Sequence, residues 1–434
     1  MRHKLAIGLF VSLIVLGATV GQAAIASEAE AYLAPLVASG DFNGVVLIAR
    51  GETPLFAKAY GSADVELRVP LTMRSRFRIA SITKTFTGAA IAMLAERGKL
   101  SYDDALSKYL PDFPHGDAIR IRHLLLFESG VGDPDAQTCG DATLDELVTQ
   151  IASKPLAFEP GTKSWYGNGG FVLLARVIER ASGKSWQDFL HDEIFVPLSL
   201  PATVVDQQDD VVPDRAHGYV PGAGSTGLAN ARCAGAWAAL GSGALLSTAS
   251  DLHRWARAVR NERLFKRSTL EYPYGWGVRK YFDRNAIEQS GIINGSASYL
   301  AAYLDDDVYV VVLSNVQTGL LTDIGKGLAA LTFGAKPPPL TPSPRAQTST
   351  AEERKRWLGH YNNPNIAPIE IMENGKALYL RWGNSPETNY LTPAGASVAY
   401  DRQDSIAIEL ATDGSIHMRW PQGEPQTFTR VLTK

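Results

Sequence analysis

Phe42-Asn43-Gly44-Val45-Val46-Leu47-Ile48-Ala49 is a short apolar run bounded by turn formers, the pattern of a buried strand. A second such run, Val308-Tyr309-Val310-Val311-Val312-Leu313, lies far downstream, and helical periodicity fills much of the chain between them. Helices are expected over Thr85 to Arg97, Gly170 to Ala181, Trp186 to Glu193 and Ser250 to Val259, the last opening on a Ser-Asp start signal. Strands at both ends with helices between them imply an α+β fold, one sheet flanked by helices.

Beyond this region, Lys336 to Pro344 holds five prolines and Ser343 to Ala351 is small and polar, as in a semi-stiff linker. After it, Ala377 to Trp382 and Ser405 to Leu410 alternate apolar and other residues, and Asn374-Gly375 and Asp413-Gly414 are hairpin signals. Residues 351–434 therefore read as a small antiparallel β domain, with a linker at 334–350 and the main domain at 27–333. The first residues carry Arg2, His3 and Lys4, then an apolar or small run from Leu5 to Val20, then Ala24-Ile25-Ala26. This is the layout of a signal peptide over 1–26; the 16-residue run falls short of the roughly 20 residues that span a bilayer. A periplasmic or secreted protein with no stable membrane span after cleavage follows.

With 434 residues, 45% of them hydrophobic, the chain can bury a full core, and a net charge of −3 gives it no electrostatic reason to bind nucleic acid. Its two cysteines, Cys139 and Cys233, are too few for a disulfide scaffold or a four-cysteine zinc site. They form one bridge in an oxidising compartment or stay as two thiols; the residues leave both open. The eight histidines show no ligand spacing and there is no Gly-x-Ser-x-Gly elbow, so neither a zinc enzyme nor a triad hydrolase is supported, and no cofactor is expected.

Ser81-Ile82-Thr83-Lys84 opens an apolar, Ala-rich helix that Gly98 closes. Residues i and i+3 share a helix face, so the Lys84 amine can reach the Ser81 hydroxyl, and burial would leave that amine neutral and able to take the serine proton. Alone the signal is weak, because a chain this long holds about one such tetrad by chance. Tyr166-Gly167-Asn168, between the turn Glu159-Pro160-Gly161 and an apolar helix, can present a phenol and an amide to a cleft, although Tyr361-Asn362-Asn363 repeats the spacing. Gln289-Ser290-Gly291-Ile292 precedes a turn and strand, and a glycine at a strand edge lets a backbone N–H approach a ligand.

Together and in order, these three stretches resemble the serine β-lactamase and penicillin-binding-protein superfamily, in its class C β-lactamase-like branch with esterase, D-aminopeptidase and D-Ala-D-Ala carboxypeptidase relatives. Phe77 to Lys84, Leu100-Ser101-Tyr102-Asp103-Asp104, Phe195-Val196-Pro197-Leu198, Gly243 to Leu252 and Tyr274-Gly275-Trp276-Gly277 extend the likeness over roughly residues 30 to 333. The resemblance implies an antiparallel sheet with helices on both faces, an all-helical lobe carrying Tyr166, and an appended C-terminal barrel. It also implies a serine hydrolase that cleaves a small ester, D-amino-acid peptide or β-lactam. Ser81 would be the nucleophile, Lys84 its base partner, Tyr166 the proton relay and Asn168 a substrate-amide contact. Gln289, Ser290 and Gly291 would line the substrate site, and the N–H groups of Ser81 and Ile292 would form the oxyanion hole. Two positions depart from the pattern: Gln289 stands where Lys or His is usual, and Phe127-Glu128 replace two polar residues. Those departures motivate an alternative, a catalytically weak binding or sensor module on the same fold.

Overall fold

The computed structural model describes residues 4–135, 142–207, 210–231, 240–266, 274–385, 387–421 and 423–431, with side chains from Gly21 onward. Cys139 and Cys233, with the choice between bridge and thiols, lie outside the described residues.

Six antiparallel strands make the main sheet: β1 (Gly44–Arg50), β2 (Thr53–Tyr60), β3 (Gly277–Tyr281), β4 (Arg284–Ile293), β5 (Ser296–Tyr303) and β6 (Val308–Ser314), in the order β3-β4-β5-β6-β1-β2. The two runs read as strands from the sequence pair directly, from Gly44 opposite Ser314 to Arg50 opposite Val308. Every residue of β6 is buried, as is all of β1 but Arg50, because helices cover both faces. That double cover explains why these strands lack an apolar/polar alternation.

The helices are α1 (Lys4–Ser39), α2 (Thr83–Glu96), α3 (Leu144–Ala152), α4 (Gly169–Ser182), α5 (Ala249–Arg260), α6 (Leu321–Thr332) and α7 (Ala351–Trp357), besides shorter pieces such as Ile121–Leu125 and Trp186–Leu190. Strand residues divide by parity: Val45, Leu47 and Ala49 join the core of α2, α4 and α5 with Phe86, Phe171 and Trp255, while Val46 and Ile48 face Leu33, Leu36, Ile324 and Leu328 of α1 and α6. Ile121–Leu125, α3, α4 and Trp186–Leu190 form the helical lobe packed on α2 through Leu124, Leu147, Leu174 and Phe189. Gly98, at φ +67, ends α2 as expected, with its N–H on Ala95 O and that of Lys99 on Leu94 O, a Schellman closure. The cap of α5 falls earlier than the Ser-Asp signal suggested: the Thr248 hydroxyl accepts the Asp251 N–H. Among the described residues no helix is long and apolar enough to cross a membrane.

The C-terminal strands close into a barrel: β7 (Gly359–Asn362), β8 (Ile369–Asn374), β9 (Ala377–Trp382), β10 (Asn389–Gly395), β11 (Val398–Asp401), β12 (Ile406–Leu410), β13 (Ile416–Arg419) and β14 (Gln426–Arg430). Tyr361 opposite Arg430 seals the seam. Ile371, Leu380, Leu391, Ile408, Met418 and Phe428 fill the interior. Gly375 and Gly414 take positive φ in the two turns where hairpins were expected.

A buried carboxylate links this barrel to the rest. Asp41, between α1 and β1, accepts the Ser343 N–H at 2.7 Å and hydroxyl, and the Arg402 Nε at 2.9 Å from the β11–β12 turn. Arg402 also donates to Gly40 O at 2.7 Å. Removing one partner of a buried ion pair leaves the other charge stranded, so Arg402→Ala is expected to cost about 3 kcal/mol, read as a lower denaturant midpoint. A midpoint equal to that of the parent would show that the pair contributes nothing.

Candidate active site

Ser81 sits in a single 3-10 turn, Ala80–Ile82, that runs straight into α2. The preceding Ala80 has φ +45, a left-handed conformation costly for a residue with a Cβ. The sheet holds it there: the hydroxyls of Ser296 and Ser298 on β5 donate to Arg78 O (2.8 Å) and Ile79 O (2.7 Å). On β4, Gly291 lies so close that a Cβ would fall 2.5 Å from Ile79 O and 2.7 Å from Ser81 N. The glycine that the sequence marked for close backbone approach is thus where the serine turn meets the sheet.

Lys84, one turn into the helix, has no exposed surface. Its Nζ lies 3.0 Å from Ser81 Oγ, 2.8 Å from Asn168 Oδ1 and 3.2 Å from Ser242 O. Burial pushes its pKa down to about 7, against the opposing pull of the Asp133 carboxylate. The amine can therefore lose its proton near neutral pH while Ser81 is its hydrogen-bond neighbour.

Tyr166 arrives from the loop ahead of α4, and its ring lies 4.9 Å from Lys84 Nζ. Burial raises its phenol above the ordinary value, a hydrogen bond with Ser81 opposes this, and Asp133 adds to the rise. Asn168 is the N-cap residue of α4, yet its side chain does not cap the helix. It points to Lys84 instead. Phe127, one of the two departures from the family pattern, packs at a tilt against Tyr166 (centroids 4.8 Å apart) and Phe171 (5.4 Å) and takes φ +61. It helps to dry the wall next to the amine. Glu128 joins through its backbone, with its N–H on His123 O and its carbonyl accepting the Gly161 N–H.

The Gln289 stretch lies on β4, where pairing with β3 ends at Glu288 but pairing with β5 continues to Ile293. Gln289 Nε2 donates to Gly275 O at 2.5 Å and its Oε1 accepts the Ser290 N–H at 3.1 Å. Ser290 and Ile292 are exposed. Tyr361, which repeats the Tyr166 spacing, is buried in the barrel with its hydroxyl on Trp357 O and takes no part. Among the described residues no group of three or more His, Cys, Asp or Glu side chains is arranged to hold a metal ion. Sequence reasoning missed Asp133, the Ser242 carbonyl and the packing role of Phe127, all brought in by contacts between distant segments.

The sequence model of one family, described as Beta-lactamase, matches residues 29–331. The chain belongs to the beta-lactamase family. It is a serine hydrolase of that type. It is 29% identical to "Penicillin-binding protein 4*" of Bacillus subtilis (strain 168), over 85% of this chain and 90% of that one. It is 28% identical to "Teichoic acid D-alanine hydrolase" of Staphylococcus aureus (strain NCTC 8325 / PS 47), over 64% of this chain and 71% of that one. In fold it is similar to the octameric penicillin-binding protein homologue from Pyrococcus abyssi (TM-score 0.65, 22% identity), which covers 93% of this chain and 99% of its own.

The buried amine has a thermodynamic signature. Folded Lys84 gives up its proton near pH 7 and unfolded lysine near 10.4, so between these values the unfolded chain binds more protons and stability rises with pH. Compared with a Lys84→Met variant, the parent should gain about 1.4 kcal/mol per pH unit in that window, measured by denaturant titration from pH 7 to 10. A pH-independent difference would mean that the lysine keeps its ordinary pKa.

Proposed function

We propose that this chain is an exported hydrolase that cleaves a small ester, a D-amino-acid peptide or a β-lactam through an acyl-enzyme on Ser81. The observation that carries it is the buried Lys84 amine 3.0 Å from the Ser81 hydroxyl. With its pKa near 7, neutral Lys84 takes the proton as Ser81 Oγ bonds to the substrate carbonyl carbon. Tyr166, pushed the other way, keeps its proton and can hand it to the leaving group, then regain one from the Lys84 ammonium. Water then releases the acyl group, returning Ser81 to its hydroxyl.

The N–H groups of Ser81 and Ile292 serve as the oxyanion hole in this reading. A two-residue turn, Asn294-Gly295, makes Ile293 and Ser296 the hydrogen-bonded closing pair, so the Ile292 N–H is directed away from β5, on the side where β3 has ended. Asn168, beside Lys84, is within reach of a substrate amide. Both ends of the Gln289 amide engage backbone groups and it carries no charge, which supports substrates without a carboxylate over carboxylate-bearing ones. The relative named for teichoic acid D-alanine hydrolysis supports a D-amino acyl group.

Export rests on the apolar Leu5 to Val20 run and on Ala24 to Ala26. Among the described side chains of α1, the fully buried Ala29, Leu33 and Leu36 all follow the proposed cleavage after Ala26, so cutting there spares them. The division at 27–333, 334–350 and 351–434 belongs to the same reading, supported by a stretch without regular structure before the Thr350 cap of α7.

Intact-mass spectrometry after exposure to a fluorophosphonate or a penicillin, beside Ser81→Ala, tests the reading. Phosphonate labelling that the variant loses is expected, and no label from either reagent would favour the catalytically weak binding or sensor module. The rate for an uncharged ester should rise with pH through an apparent pKa near 7 and exceed that for a carboxylate-bearing analogue at least about tenfold; faster turnover of the anionic analogue would remove the role given to Gln289.

A further inference from the structure

Helix α4 begins without help from its own N-cap side chain, because Asn168 has turned its amide to Lys84. A distant residue supplies an acceptor just ahead of the first turn. Asp133 Oδ1 takes the N–H groups of Asn168 (2.5 Å) and Gly169 (2.8 Å), the N-cap residue and the first residue of α4, ahead of the second and third positions whose N–H groups an N-cap side chain takes. The flanking glycines make room: a Cβ on Gly167 would lie 2.9 Å from Asp133 Oδ1, and one on Gly169 would lie 2.1 Å from Gly132 O. Lys154 of the α3–α4 connection pins the same segment, donating to Asp133 O and Asp135 Oδ1 at 2.6 Å each. The Asp133 charge also reaches Lys84 and Tyr166, acting to retain the proton on both.

We infer that Asp133 is a positioning residue of the Ser81 site: it anchors the N–H groups of Asn168 and Gly169, holding the backbone from which the Asn168 amide reaches Lys84, and it sets a negative charge within electrostatic reach of the ammonium that forms when Ser81 gives up its proton. The inference rests on the reading of Ser81 and Lys84 as the reacting pair. One carboxylate thus does two separable things. Its oxygen fixes the backbone that presents Tyr166 and Asn168, and its charge offsets the cost of creating a cation where water is excluded. Among the described residues, the charged and titratable groups around the amine are Asp133 and Tyr166, with Ser81, Asn168 and Ser242 O as its neutral partners.

Two variants separate the two effects. Asp133→Asn keeps an oxygen for both N–H groups and removes the charge; Asp133→Ala removes both. With Asp133→Asn, the acid limb of the kcat/KM profile for an uncharged ester should move to lower pH by about half a unit or more, since Lys84 loses its proton more easily. Its kcat should fall about tenfold, with a melting temperature close to the parent's. Asp133→Ala should lose about a hundredfold or more in kcat, as the backbone that presents Tyr166 and Asn168 loses its anchor. Parent-like kcat and pH profile in Asp133→Asn would overturn the charge role, and parent-like kcat in a folded Asp133→Ala would overturn the positioning role. Fluorophosphonate labelling of the parent, absent in Ser81→Ala, reports on the underlying reading separately: without it that reading falls, and with it this inference.

Discussion

An uncharged amine needs a place without water, and the surroundings of Lys84 are arranged around that need. Every residue of α2 from Thr83 to Leu94 is buried, so the helix that carries the lysine is the axis of the main core rather than a surface element. A helix surrounded on all sides must satisfy its own polar atoms. Thr85 donates to Ile82 O and accepts the Trp255 indole N–H; Thr87 donates to Gly241 O and accepts the Trp186 indole N–H. Gly88 admits the Tyr274 backbone, where a Cβ would meet the Tyr274 carbonyl oxygen at 2.3 Å. The dryness that lowers the lysine pKa thus depends on satisfied threonines, two tryptophans and one missing methyl group.

Backbone strain occurs at the site as well as elsewhere among the described residues. Ala80, Phe127 and Tyr274 all take positive φ without being glycine, and they stand, respectively, before the serine, beside the tyrosine ring and next to the carbonyl that holds Gln289. Such conformations last only where the surroundings over-determine them. Here two serines of β5 grip the turn before Ser81, while Phe127 is set between Tyr166 and Phe171.

Local pattern made much of this readable. The i, i+3 spacing of Ser81 and Lys84, the stop at Gly98, the two buried strands and the Asn-Gly and Asp-Gly hairpins are properties of a few adjacent residues, and chain geometry decides them. Asp133 was not readable, since it anchors the start of a helix from 35 residues away and nothing in its own neighbourhood requires this. Gln289 could be recognised as neutral, but the engagement of its amide with Gly275 depends on a glycine at φ +84 in a separate segment. The barrel was legible through only two of its eight strands, because several of the others run for just four or five residues, too short for alternation to stand out.

The sheet order also bears on how the chain comes together. β1 is among the first structured segments to be synthesised, yet it lies between β2 and β6, and β6 comes some 260 residues later. Until then one of its edges exposes unpaired N–H and C=O groups on an apolar strand, which invites pairing with other chains. Asp41, three residues ahead of β1, waits longer still, for Ser343 and Arg402. Completion of the main sheet is therefore a late, non-local event, and folding should be slow for a chain of this size. A chaperone that covers the β1 edge would serve this protein during synthesis.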